Sequence, residues 1–408
     1  MTLTIRRLAV LIFFIGLFAM AARVAVDSDT FWHLRAGAWM VENKQVLTRD
    51  VFTSTAFGQA WEYPAWLTQI VMYLIFGWLG PAGLNLFTAA MVTLTFLFVF
   101  ATCEGSVYVR IAAVLLAAVA SAVFWAARPQ IVSFAFGAIT LYILHLHRRR
   151  AMNRLWLLPP LMALWGNVHP GFAVGFIFIA VTLTGETAKA LFERSWRGWR
   201  DVLWLAGAGL ACGIALLASP YGVGQWYFPF KTVDSDLLRN YVQEWQSPNF
   251  HIKEAQVFIW LLLATLGAVG LSRRRLDVTD WLLMSVCIYL ALVAGRNIAL
   301  FSLVAAPVLA RHAQAALDDV ALQYPGWATM MSSGGEPARG LVWLNWLLLL
   351  LVTLAALVKV SIPLDRALNA RLIANTLPVG AAEFIVHTRP AGPMFNPYNW
   401  GGYLSWAL

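Results

Sequence analysis

Long apolar runs alternate with short polar breaks from the first residues to about position 360. A helix crossing a bilayer needs about 20 apolar residues, and eleven segments reach or approach that length. They are Leu8–Val26, Gly83–Cys103, Ile111–Ala127, Ile131–Leu146, Leu155–Gly166, Phe172–Ala190, Val202–Ser219, Val257–Leu271, Trp281–Ala294, Ile298–Ala310 and Leu341–Val360. Pro64–Gly80 is also apolar, and counting it as a crossing would put Arg148-Arg149-Arg150 and Arg273-Arg274-Arg275 on the outer side. Laid along the outer surface as an amphipathic helix, it leaves Arg6-Arg7, Arg110, Arg148–Arg154, Lys189–Arg200, Arg273–Arg275 and Arg311 all facing the cytoplasm. The pattern predicts an all-α polytopic protein of the cell membrane with eleven crossings, a cytoplasmic N-terminus and an extracytoplasmic C-terminus.

Residues 1–360 form the transmembrane module in this scheme, with two long outer loops. The first, 27–82, carries a predicted helix at Thr30–Asn43 and turns at Thr48-Arg49-Asp50 and Phe57-Gly58-Gln59; the second, 220–256, is aromatic and mixed in charge. Residues 311–340 form a cytoplasmic connector containing Ser332-Ser333-Gly334-Gly335-Glu336-Pro337. Beyond the last span, 361–408 has soluble character and predicts a small outer α/β segment: a helix at Val379–His387 after Pro378, a turn, then a strand near Met394. It stops in mid-pattern at Tyr403-Leu404-Ser405-Trp406-Ala407-Leu408, which is expected of a truncated domain. Arg6-Arg7 followed by Leu8–Met20 resembles a signal peptide, but the run passes straight into an acidic motif, so an uncleaved first helix is expected.

Composition agrees with this class. Hydrophobic residues make up 60% of the 408 and charged residues 12%, against about 25% charged in soluble domains, and the mean hydropathy is +0.69. The net charge of +9 comes from short clusters between apolar runs, the distribution of topology signals, so no nucleic-acid partner is expected. Cys103, Cys212 and Cys287 lie in or beside apolar segments without metal-ligand spacing and read as packing residues.

The polar breaks carry the candidate chemistry. Asp27-Ser28-Asp29-Thr30-Phe31-Trp32-His33-Leu34 places two carboxylates and an imidazole at the mouth of the first helix. The one-residue spacing turns both acids toward one cation or a sugar hydroxyl, or else merely solvates the helix end. Trp32 suits a carbohydrate face and equally an interfacial belt. Arg128 in Arg128-Pro129-Gln130 and Arg296 in Arg296-Asn297 each interrupt apolar hairpins, where a guanidinium fork meets a phosphate or one of the acids. Asn167-Val168-His169-Pro170-Gly171 breaks a hydrophobic stretch; His169 either donates to a phosphate or caps the break. Ser219-Pro220-Tyr221-Gly222 and Gln243-Glu244-Trp245 fall in or beside the second outer loop. All of these clusters map to the outer face. No Walker motif, G-x-G-x-x-G, H-E-x-x-H or CxxC is present, so nucleotide, dinucleotide and zinc-protease chemistry find no support.

The layout resembles the C-type (GT-C) superfamily of integral-membrane glycosyltransferases, the group of protein O-mannosyltransferases, oligosaccharyltransferases and aminoarabinose transferases of lipid A. The resemblance rests on the acids directly after the first helix, the large first outer loop, and a surface helix containing Pro64-Ala65-Trp66-Leu67. It is closer to a bacterial branch with motifs matched here by Asp27–Leu34, Asn167–Phe172, Glu244–Pro248, Arg296-Asn297 and Asn396–Leu404, spread over most of the chain. Two positions depart from that branch: Phe31 stands where Trp is frequent, and Ala65 where an acid is common.

The resemblance implies a bundle of about eleven transmembrane helices and an inverting transfer of a sugar from a polyprenyl-phosphate donor to a hydroxyl of a glycan, lipid or protein acceptor. Asp27, or failing it Asp29, would be the general base. Arg128, His169 and Arg296 would bind the donor phosphate, and Trp32, His33, Gln130, Asn167, Tyr221, Glu244, Trp245 and Asn297 would line the substrate site. A divalent cation, Mg2+ or Mn2+, on Asp27 and Asp29 is the one cofactor implied. Three alternatives stay open: an arginine-based polymerase or ligase of lipid-linked glycans, a non-catalytic assembly subunit, and a multi-pass transporter.

Overall fold

The computed structural model describes residues 3–24, 26–324 and 342–408. Among the described residues the chain is helical throughout. The chain opens with α1 (Ile5–Ala21), α2 (Ser28–Asn43), α3 (Trp66–Leu79) and α4 (Pro81–Thr102). There follow α5 (Val107–Ser121), α6 (Gln130–Arg150), α7 (Leu158–Val168), α8 (Phe172–Glu193) and α9 (Trp196–Ala215). Two short helices, α10 (Gly224–Val233) and α11 (Asp236–Tyr241), occupy the second loop before α12 (Lys253–Leu271), α13 (Val278–Val293) and α14 (Ile298–Gln323). The last part is α15 (Val342–Leu364), α16 (Arg366–Thr376), α17 (Val379–Thr388) and α18 (Gly401–Ala407).

Every one of the eleven apolar segments carries a helix. Among the described residues seven helices, those within 81–102, 107–124, 130–150, 172–193, 253–271, 295–323 and 342–364, are long and apolar enough to cross a membrane. These are the marks of a multi-pass membrane protein. The other four segments do not meet that measure: α1, α7 and α13 have 17, 11 and 16 residues, and α9 opens on the charged stretch Arg197 to Asp201.

The outermost and innermost helices differ as expected for a bundle in lipid. On α15 the leucines Leu347, Leu350, Leu351, Leu354 and Leu357 are all exposed, an apolar surface with no protein against it. On α14, Phe301, Ala305, Ala306 and Ala310 are fully buried. Its small residues let α5, α12 and α13 close around it, the way helices pack without a hydrophobic drive between them.

The ends of the helices carry the charges. At the C-terminal end of α6, Arg148 donates to Glu186 at 2.7 Å, Asp277 at 2.7 Å and Asp280 at 3.0 Å. Lys189 lies 2.6 Å from Asp277, and Arg311 donates to Asp280 and, at 3.2 Å, to Glu104. These basic residues, read in the sequence as topology signals, are held by acids from α8, α13 and the α4–α5 turn. Arg311 does not open a loop either: α14 continues to Gln323, because the paired guanidinium is buried within the bundle. The Ser332–Pro337 stretch lies outside the described residues. The 21 residues of α6 span about 31 Å at 1.5 Å each, close to the roughly 30 Å of a bilayer core. One end meets this ionic cluster; the other begins two residues after Arg128.

In the first loop α2 forms where predicted. Asp27 is its N-cap, accepting from the Asp29 N–H at 2.9 Å. A close approach follows at Gly37, where a Cβ would overlap the Gln69 carbonyl of α3. The predicted turns are joined by a single bridge between Arg49 and Ala60, with Gly58 at φ +78°. The C-terminal segment corrects the expected α/β character. The helix α17 forms as predicted, but no strand follows among the described residues. Pro390, Pro393 and Pro397 remove the donors a ladder requires, and the chain turns into α18 instead. That helix lies on α2: Tyr403 meets Phe31 edge-on at 5.1 Å, and Trp406 meets Phe76 at 5.4 Å.

The ionic cluster at the C-terminal end of α6 is buried around Arg148 and Asp280, whereas the Arg200–Asp201 pair, at 3.9 Å, is exposed. Asp280→Asn leaves two buried guanidinium groups short of an anion and should lower stability by about 3–5 kcal/mol. Asp201→Asn should change it by less than about 1 kcal/mol. Thermal melts of the purified variants in one detergent compare the two.

Candidate functional site

Five chain junctions bring their polar residues to one place: α1–α2, α5–α6, α7–α8, the second outer loop and α13–α14. The first supplies Asp27 and Asp29. The second supplies Arg128, whose Nε lies 2.6 Å from Asp27 and whose Nη1 lies 3.0 Å from Asp29 and 3.3 Å from Glu244. Glu244 sits on a 3-10 turn, Gln243–Trp245, and its other oxygen is 3.2 Å from Arg296 Nη1. The Arg296 guanidinium lies over the Trp245 ring at 4.5 Å, a cation–π contact. A backbone bond from Gly295 N–H to the Gln246 carbonyl, 2.9 Å, locks the two turns together. The result is a row of alternating charge: Asp27 and Asp29, Arg128, Glu244, Arg296.

The two acids at the head of the row are not equivalent. Asp27 is 14% exposed and already serves as helix cap and as partner of Arg128 Nε. Asp29 is 37% exposed. Burial raises its pKa above that of a free carboxyl, Arg128 opposes this, and the neighbouring Asp27 and Glu244 charges reinforce it. For Arg128 the carboxylates win: its pKa is raised despite burial, chiefly by Asp27 and Asp29.

His169 and His33 are buried. His169 Nδ1 accepts the Gly171 N–H at 2.9 Å and lies 2.8 Å from the Ser133 hydroxyl, which itself accepts Trp165 Nε1–H at 2.6 Å. With Ser133 accepting from Trp165, its own proton goes to Nδ1. This network assigns the His169 proton to Nε2. Burial, then the nearby Arg296 charge, pushes its pKa down to about 3, so the ring is neutral and offers one donor. The Gln69 amide donates to His33 Nδ1 at 3.1 Å, and Trp32 covers the ring with centroids 3.6 Å apart. Burial, Arg128 and His169 together hold the His33 pKa well below its ordinary value.

Other residues singled out in the sequence turn to the backbone. Asn167 accepts Trp66 Nε1–H at 2.8 Å and donates to the Ala163 and Ala218 carbonyls. The Tyr221 hydroxyl donates to the Tyr63 carbonyl at 3.0 Å, and Asn297 donates to the Leu290 carbonyl at the end of α13. Gln130 is buried at the start of α6. Sequence reasoning passed over Tyr63, whose ring meets Trp32 at 5.0 Å and His33 at 5.6 Å. It also passed over Ser133, one helical turn beyond Gln130, and Trp61, 6.0 Å from Trp32. An aromatic pair bracketing Glu62 just before the Pro64 helix start was the available signal.

A divalent cation fits this arrangement poorly. Mg2+ and Mn2+ need several oxygen donors facing one point, whereas the inward oxygens of Asp27 and Asp29 both meet a guanidinium. Among the described residues no group of three or more His, Cys, Asp or Glu side chains is placed to hold a metal.

The two buried neutral imidazoles set a pH dependence. A histidine with a folded pKa below its unfolded value of about 6.5 gives stability that is complete above that value and is lost as pH falls toward the folded pKa. For His169 the loss is about 1.4 kcal/mol per pH unit, or about 2 kcal/mol by pH 5. Melting temperature against pH between 7.5 and 4.5 should fall on the acid side, and His169→Asn should flatten the curve.

No protein-family model matches the chain and no curated protein matches it, so the site is interpreted from its own geometry.

Proposed function

We propose that this protein is a membrane glycosyltransferase of the GT-C kind. It moves a sugar from a polyprenyl-phosphate donor to an acceptor hydroxyl at the outer face of the cell membrane, with inversion. The supporting observation is the polarity of the charged row, with an exposed carboxylate at one end and, at the other, Arg296 near a neutral histidine donor. Such a row supplies the two things an inverting transfer from a lipid phosphate needs on opposite sides of the anomeric carbon.

Asp29 is the general base in this mechanism. It is the more exposed of the two acids, and its raised pKa makes it the better proton acceptor. Asp27 keeps α2 in register and holds Arg128. The acceptor oxygen attacks the anomeric carbon as Asp29 takes its proton, and the bond to the lipid-phosphate oxygen breaks. Charge developing on that oxygen is met by Arg296 and by Nε2–H of His169. Arg128 already has three carboxylates within 3.3 Å, so its work is to position the acids rather than to bind phosphate. A polymerase resting on paired arginines is disfavoured for the same reason.

Topology follows the same reading. Eleven crossings with the N-terminus inside put the charged row outside, and they put Arg148, Arg149, Lys189 and Arg311 at the cytoplasmic helix ends, in keeping with the positive-inside rule. Lipid tails of donor and bilayer would lie against the exposed leucines.

Transfer from a panel of polyprenyl-phosphate sugars, measured on the purified protein, tests this. Asp29→Asn should lower turnover about 10²- to 10⁴-fold and Arg296→Met about 10²- to 10³-fold. Asp27→Asn retains a capping side chain and should lose less. A larger loss at Asp27 would move the base there; turnover unchanged in all three variants would sink the assignment.

A further inference from the structure

A second concavity lies beside the charged row and takes no part in the mechanism above. It has a volume of about 210 Å³ and opens between the two outer loops. Trp61, Tyr221 and Phe228 supply aromatic walls; Thr48, Glu62 and Gln225 supply the polar ones. At about 30 Å³ per water it has room for roughly seven waters, the space of one sugar ring.

Its floor is rigid. Gln225 donates to the Gly166 carbonyl at 2.6 Å and accepts from Ser219 at 3.3 Å, while the Tyr221 hydroxyl is fixed on the Tyr63 carbonyl. The rim is polar and balanced in charge, since Lys231 pairs with Glu62 at 2.6 Å. Flat apolar faces beside a carboxylate, an ammonium and a hydroxyl match a sugar ring, which has CH faces and hydroxyls pointing outward. A neutral rim pair does not match a phosphate.

Position gives the cavity its meaning. The Tyr63 ring meets Phe228 on the cavity side at 6.2 Å and Trp32 on the other at 5.0 Å. Trp61 likewise lines the cavity and meets Trp32 at 6.0 Å. Trp32 lies one helical turn along α2 from Asp29. Tyr63 and Trp61 thus connect the concavity to Trp32, which shares α2 with Asp29.

We propose that this cavity is a saccharide subsite, holding the second ring of a neutral glycan acceptor whose terminal ring lies at Asp29. The occupancy by a sugar stands on the cavity alone; its role as acceptor subsite rests on the transferase reading. The acceptor is then a glycan of two or more rings rather than a protein side chain or a lipid headgroup.

Binding of neutral mono-, di- and trisaccharides to the protein in phospholipid nanodiscs, which avoid glycoside detergents, tests the proposal by tryptophan fluorescence and saturation-transfer NMR. At least one di- or trisaccharide should bind about tenfold more tightly than its monosaccharide. Trp61→Ala should weaken it by about tenfold or more, and Glu62→Gln and Thr48→Val, on exposed positions, by a few-fold with an unchanged melting temperature. No saturable binding of any saccharide up to 10 mM, about the weakest affinity a subsite would show, overturns the proposal, as does binding indifferent to all three variants. Saccharide binding sensitive to these variants with no transfer from any donor keeps the subsite and removes the transferase. Transfer that proceeds to acceptors without a second ring keeps the transferase and removes the subsite.

Discussion

One guanidinium holds the charged row together. Arg128 reaches acids from two separate parts of the chain, the start of α2 and the second outer loop, and it stands itself at the start of α6. Without it, three carboxylates would face one another at the ends of apolar helices, where unpaired charge is costly. With it, the Asp27 cap and the Glu244 turn become parts of one rigid body, and Glu244 can pass the tie on to Arg296. The organisation of the site is therefore electrostatic first and steric second.

A matching cluster closes the other end of the bundle. Arg148 and Arg311 hold acids from α8, α13 and the α4–α5 turn much as Arg128 holds its own. The two clusters sit at opposite ends of α6, about one bilayer core apart. Between them the chain presents mainly alanine, leucine and phenylalanine to its own interior, as in the seam around α14. The difference lies in completeness. The Arg148 cluster is packed between helices, whereas the Arg128 cluster leaves Asp29 37% and Glu244 34% exposed. A structural clasp has no need of exposed acids; a site does.

Much of this was legible in the sequence, and the reason is chemical. Charged residues breaking apolar runs have few places to go, so Asp27, Asp29, Arg128, Glu244 and Arg296 could be assigned to one face from spacing alone, and they meet there. Their partners could not be assigned, because pairing depends on which junctions the helices bring together. Neutral polar residues were less informative. Asn167, Tyr221 and Asn297 lie at or near the junctions between helices, and their side chains donate to the backbone carbonyls of Ala218, Tyr63 and Leu290. Ser133 was hidden for the opposite reason, as a small hydroxyl inside an apolar helix. The strand expected near Met394 does not form among the described residues, where Pro390, Pro393 and Pro397 interrupt the segment. The crossing count of eleven rested on apolar composition, which α7 and α13 satisfy without having the length.

The C-terminal segment shows how the resemblance and the geometry bear on one another. The motif Asn396–Leu404 lies far in sequence from the acids at Asp27 and Asp29, yet Gly402 rests directly on the Ser28 carbonyl between them. Any side chain there would push α18 off α2, and Tyr403 on Phe31 fixes the angle at which the two helices meet. The same motif places Tyr398, 75% exposed, where the charges of Asp29, Arg128 and Glu244 are felt at its phenol. A segment that first reads as a separate outer domain is thereby a wall of the acidic site. In the proposed reaction it borders Asp29 on the side where Gly402 also approaches the Trp32 ring, leaving an acceptor hydroxyl a bounded path to the carboxylate. That confinement also answers why the acids follow the first helix so closely: α2 must start within reach of both Arg128 and α18, and a longer link would surrender the geometry that the cap, the guanidinium and the glycine contact jointly impose.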